Sequence, residues 1–149
     1  MAGDRALPIQ ECPDQFYYVN FHFVINDEAN VDTYLHYCER DTVLDAAHII
    51  CTTGDADAVF ALYKAEAGVT IGGGADTTAN ATETAITSNM THVLAEDKTV
   101  EAFEVLDGSG SLAATNVVEA GRSIVLQVET AASTAVAGTI QLRLRTRVR

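Results

Sequence analysis

The last eleven residues constrain the fold more than any other stretch. In Thr139–Arg149 the even positions Ile140, Leu142, Leu144 and Val148 are apolar, with Thr146 between them. The odd positions are Thr139, Gln141, Arg143, Arg145, Arg147 and Arg149. Successive side chains of a strand point to opposite faces, so this period predicts a strand with one buried row and one row facing solvent or a partner. An apolar row of that kind has to be covered by a second layer. Arg122–Glu129 repeats the logic, with Ile124, Leu126 and Val128 on one face, Gly121 before it and a Thr/Ala/Ser/Gly stretch after it. In Phe16–Ile25 the odd positions Tyr17, Val19, Phe21, Phe23 and Ile25 oppose Tyr18, Asn20 and His22. Aromatic and β-branched residues suit such a half-buried pleated surface.

Weaker strand candidates are 47–53, 59–64, 68–71, 82–87, 91–95 and 100–106, separated by the turn signals Thr53-Gly54-Asp55, Gly72-Gly73-Gly74 and Asp107-Gly108-Ser109-Gly110. Short strands at this spacing predict an all-β chain, an antiparallel β-sandwich. Two stretches also fit helical spacing: Val31, Tyr34, Leu35 and Cys38, which leave a short helix over 31–39 open, and Val59, Leu62 and Tyr63. A length of 149 residues holds one ordinary domain. Residues 16–149 are read as that domain, and residues 1–15 as an extended N-terminal arm. The arm carries Pro8 and Pro13, has no periodic apolar face, and is expected to order on a partner surface.

Charge narrows the partners. Residues 1–142 hold 21 acidic and 5 basic groups, a balance of −16, while the last seven residues carry +4. A body this acidic repels phosphate backbones, so no nucleic-acid partner is expected. No apolar run reaches 18 residues, so no membrane partner is expected, and the opening MAGDRALPIQECPDQ lacks the pattern of a secretory signal. Cys12, Cys38 and Cys51 form no CxxC pair and read as free thiols. His22, His36, His48 and His92 have no i, i+4 partners, so no metal site is expected. Asp27, Glu28, Asn30 and Asp32, like Asp55 and Asp57, lack the calcium-loop pattern. Gly72-Gly73-Gly74 precedes no helix and has no lysine, and Gly108-Ser109-Gly110-Ser111 is not a nucleophile elbow. No catalytic residue and no cofactor is assigned, and the chain reads as a non-enzyme. The arginine row has two readings: pairing with carboxylates on a neighbouring strand, or a docking strip against an acidic surface through bidentate contacts.

The order of segments carries a resemblance. A strand and turn from Tyr34 lead to Ala58-Val-Phe-Ala-Leu-Tyr-Lys64 and Gly68-Val-Thr-Ile-Gly-Gly-Gly74; Glu119-Ala-Gly-Arg-Ser-Ile-Val-Leu126 and Val136-Ala-Gly-Thr-Ile-Gln-Leu-Arg143 follow. This is similar to the small jelly-roll-like sandwich proteins that decorate the heads of tailed bacteriophages, whose final strands follow such turn-strand patterns. The resemblance spans roughly residues 16–149, and it departs from the family at Arg122, where an acidic or polar residue is usual. It implies a decoration or cement protein that stabilises the capsid by binding between major capsid protein subunits, a homotrimer on the virion surface, made in the host cytoplasm. Docking would fall to Leu7, Pro8 and Ile9 of the arm and to Arg143, Arg145 and Arg147. Two other readings stay open, a phage fibre or receptor-binding module contacting a host glycan, and a small cupin-like enzyme whose dispersed histidines meet at a metal.

Overall fold

A computed structural model of the chain describes residues 16–25, 32–53, 58–65, 83–92, 98–106, 116–130 and 136–146. Among them the chain is all β, with two antiparallel five-stranded sheets and no helix. The first sheet runs β1 (Phe16–Ile25), β10 (Val136–Thr146), β3 (Thr42–Thr53) and β7 (Val100–Ala102), with β8 (Val117–Val118) also pairing β3. The second runs β2 (Asp32–Tyr37), β9 (Ser123–Thr130), β4 (Ala58–Ala65) and β5 (Glu83–Ala85), with β6 (Met90–His92) also on β4.

The period-two rows become the core. Ile140, Leu142 and Leu144 of β10 are fully buried and face Ile124, Leu126 and Leu62 of the second sheet in one apolar cluster. Phe23 of β1 meets Phe60 of β4 edge to face, with ring centroids 6.0 Å apart. Burying each such side chain contributes about 1.5–3 kcal/mol, so these facing rows hold the sandwich closed.

Irregularities in β2 and β3 explain what the periodicity hid. The helix open to 31–39 does not form, because Asp32–Tyr37 is the strand β2, paired with β9. A register shift between Tyr34 and His36, and the end of the strand before Cys38, leave Leu35 and Cys38 both buried three residues apart, a spacing that imitates a helix. In β4, Ala61 on one face and Phe60 and Leu62 on the other are all buried, so burial on both faces erases any period. In β3 the partners of Arg143 and Leu144 are Ala46 and Leu44, which leaves Asp45 as the extra residue of a bulge. The buried row therefore changes from even to odd, through Leu44, Ala47, Ile49 and Cys51.

A second bulge brings β10 very close to β3. A Cβ at Gly138 would lie 2.2 Å from the Ile50 carbonyl oxygen and 3.0 Å from the Cys51 Cα, both backbone atoms that cannot swing aside. At one end the sheets are tied by charge. Lys64 of β4 is buried among core-facing positions and donates from Nζ to the Val117 carbonyl (2.8 Å) and to the Glu119 carboxylate (3.2 Å). Arg122 approaches the same carboxylate at 3.4 Å. Partial burial pushes the Glu119 carboxyl up, but its backbone hydrogen bond and the Lys64 and Arg122 charges outweigh that and hold it below the usual carboxylate value.

Two outcomes follow. Gly138→Ala should destabilise the fold by about 3 kcal/mol, read as a lower urea midpoint at unchanged slope; a loss within surface-mutation scatter would show that β3 and β10 separate freely there. A carboxyl held low in the folded state adds stability that is present above its unfolded pKa and lost as pH falls through the folded value. Stability should thus drop as pH falls below about 4.3, and Glu119→Gln should flatten that slope while costing about 1 kcal/mol at pH 7, since the carboxylate is half exposed. An unchanged acid limb in the Gln variant would remove Glu119 from the account.

Candidate functional site

The outer faces of the two sheets differ. On the second sheet, Val125 and Gln127 of β9 and Ala61 of β4 lie outside the inter-sheet cluster and are nonetheless buried. Tyr63 donates its hydroxyl to the Glu129 carboxylate on the same side. The first sheet is open. Phe16, Tyr18 and Val24 of β1 are 40%, 57% and 72% exposed, and Val100 of β7 is 63% exposed. The pairing places His22, Thr139, Ile50 and Val100 in one cross-strand row, Asn20, Gln141, His48 and Ala102 in the next, then Tyr18, Arg143 and Ala46. Gln141 donates to Asn20 Oδ1, and Thr139 Oγ1 lies against His22 Nδ1, both at 2.9 Å. Between these rows sits a shallow hollow of about 220 Å³, lined by Asn20, His48, Ile50, Val100, Thr139 and Gln141. A flat, paired surface with a mixed apolar and polar lining suits contact with another protein surface better than the enclosure of a small substrate.

Arginine on this face is pinned. Arg143 forms an ion pair with Asp45, the bulge residue of β3, and its guanidinium stacks 4.8 Å above the Phe16 ring. The hydrogen bond that Arg143 donates to the Asp45 carboxylate, with Tyr18 adding to it, holds the Arg143 pKa above its ordinary value. Arg145 is next in the row, half buried between Phe16 and Val43. Arg147, Leu7, Pro8 and Ile9 lie outside the described residues, as do Asp27, Glu28, Asn30, Asp55, Asp57 and Gly72-Gly73-Gly74.

At the edge where β1 and β2 adjoin, an open cleft of about 420 Å³ is lined by Tyr17, Tyr34, His36, Tyr37, Arg40 and Thr42, among others. The Tyr17 and His36 rings are 6.1 Å apart, and Tyr34 and Tyr37 are about half exposed. Burial pushes the Tyr17 and Tyr34 hydroxyls up and the His36 imidazole down, so all three are neutral at pH 7.

The four histidines do not converge. His22 and His48 lie on the open face and His36 in the cleft, whereas His92 is fully buried between the sheets. There it meets two groups that sequence spacing did not connect to it. Its Nδ1 is 2.6 Å from Glu101 Oε2, and one ligand-capable atom from each of Cys51, His92 and Glu101 falls within 4.8 Å of the others. Sequence reading assigned no role to Val100 or Asp45; its signals for the open face were the outward positions of β1, with Tyr18, Asn20 and His22, and the outward row of β10, with Thr139, Gln141 and Arg143.

No protein-family model and no curated protein matches the chain. In fold it is similar to a chain of the solved capsid of Ralstonia phage GP4, at 12% identity and a TM-score of 0.61. The match covers 99% of this chain and 94% of that one, so the two sandwiches correspond essentially end to end.

Proposed function

We propose that this chain is a structural protein of a bacteriophage head that decorates the capsid and stabilises it by binding between major capsid protein subunits. The observation that carries the reading is the end-to-end likeness in fold to a chain of a phage capsid. The strand order β1-β10-β3-β7 against β2-β9-β4-β5 supports reading the sandwich as a jelly roll, an architecture that recurs in viral capsids. The open face of the first sheet supplies the docking surface, with Tyr18, Val24 and Val100 as its apolar anchors and Arg143 as a fixed positive charge. Leu7, Pro8, Ile9 and Arg147 extend that contact. The ten-residue edge strand β1, paired only to β10 among the described residues, suits shielding by further copies in a homotrimer on the virion surface.

The tyrosine-lined cleft favours a second reading, a phage fibre or receptor-binding module that holds a host glycan. Neutral aromatic rings and hydroxyls are what a sugar face and its hydroxyl groups would meet.

Co-sedimentation with heads of the encoding phage, assembled without this protein, separates the two. The wild-type chain should pellet stoichiometrically, and light scattering should give three times the 15.9 kDa chain mass. Tyr18→Glu with Val100→Glu should weaken head binding by roughly tenfold or more while circular dichroism stays that of the folded sheet. Replacing Arg143, Arg145 and Arg147 with glutamine should cause a loss resembling that of added salt, and deleting residues 1–15 should weaken binding without unfolding the domain. Head binding that survives the face variants, together with glycan binding that Tyr34→Ser abolishes, would transfer the function to the cleft.

A further inference from the structure

We propose that Cys51, His92 and Glu101 form a zinc site that ties the two sheets together from inside. Cys51 projects inward from β3 and Glu101 inward from β7, both in the first sheet, while His92 projects inward from β6 of the second. Their ligand-capable atoms lie within 4.8 Å of one another. Thiolate, imidazole and carboxylate are the donors that Zn²⁺ takes, and three protein ligands leave a fourth position for water, as in its catalytic sites rather than in the four-ligand structural ones.

Each ligand is held by backbone that is itself constrained. Cys51 sits where Gly138 lets β10 close onto β3. The Cys51 carbonyl accepts a hydrogen bond from the Lys98 amide at 2.8 Å, and Lys98 adopts φ 62°, a left-handed conformation rare outside glycine. That turn leads into β7 and sets Glu101 opposite the buried Ile49, on the core side of the sheet. His92 stands opposite Ala58, which is also fully buried.

The burial of these groups has an energetic consequence. His92 and Cys51 are fully buried and the Glu101 side chain is only 12% exposed. A polar group taken from water into an apolar core is costly unless it is fully satisfied, and apolar residues of similar volume would serve the core at least as well. His92 and Glu101 are joined by a hydrogen bond, and a divalent cation would bind one donor atom of each of the three groups at once. Zinc ligands stand about 2.0–2.3 Å from the ion, so closing the triad requires side-chain shifts of about 1 Å. Glu101, the most exposed member, marks the side from which ion and water enter.

The full chain, stripped with a chelator and dialysed, should bind one equivalent of added Zn²⁺ and melt higher with it by roughly 5 °C or more. Co²⁺ used as the probe should give intense visible bands of a tetrahedral site and a near-ultraviolet thiolate-to-cobalt band. Cys51→Ser should abolish the thiolate band, and His92→Gln should weaken Zn²⁺ binding at least tenfold. Because buried variants can fail to fold, Glu101→Gln serves as the second test: it keeps a hydrogen-bonding partner for His92 and should still weaken Zn²⁺ binding at least tenfold. A wild-type chain whose melting does not respond to Zn²⁺, or a thiolate band that persists in Cys51→Ser, overturns the site and leaves the trio as a buried hydrogen-bonded cluster.

Discussion

Everything in the first sheet depends on β10 being paired on both sides. It accepts β1 along ten residues and β3 along almost its whole length, so its buried row of Ile140, Leu142 and Leu144 fixes the register of three strands at once. A slip of one residue would turn those side chains outward and bring Gln141, Arg143 and Arg145 into the core. The cost of burying guanidinium groups there excludes that alternative more firmly than any gain from the native pairs. The arginines therefore act first as a device that selects one register, before any role in binding.

That selection also shapes the open face. Odd residues of β10 face outward, so Arg143 meets whatever β3 presents beside it. The bulge at Asp45 presents a carboxylate, and Phe16 of β1 supplies a ring for the guanidinium to stack on. A charge held in this way loses less freedom on docking than a flexible one, which favours a contact of fixed orientation. On the second sheet the outward Val125, Gln127 and Ala61 are buried, so among the described residues of β9 and β4 no such open row appears.

The sequence disclosed the regular strands and hid the irregular ones. Phe16–Ile25 and Val136–Thr146 kept a clean alternation because each is half buried along its length, and Ser123–Thr130, though buried on both faces, still alternated Ile124, Leu126 and Val128 on its core side. The same test reached only 47–53 of β3 and left β2 open to a helix, because bulges near Tyr34 and at Asp45 interrupt the period. Strands of two or three residues, such as β7 and β8, exist only because β3 offers them an edge, and no local pattern can encode a partner that distant. The candidate sites divide along the same line. The outward row of β10 was legible as a row, but its acidic partner lies 98 residues away. Cys51, His92 and Glu101 come from three strands of two sheets, so their meeting is a product of topology that spacing rules for metal ligands do not detect.

The open face and the interior trio are not independent parts of the molecule. Ile50 and Cys51 are neighbours in β3, and Val100 and Glu101 are neighbours in β7; in each pair the first side chain points to the open face and the second to the core. Ile50 and Val100 are directly paired, and they form one wall of the hollow. β7 is only three residues long, and short edge strands are among the first parts of a sheet to open locally. An inward ligand set that joins β3, β7 and β6 would oppose that opening. It would thereby hold Val100 at a fixed position on the outer surface, so the ordering cost of the edge strand is met before a partner arrives. Alternation, the property that made the fold readable, is thus also what couples an interior site to an exterior surface one residue away.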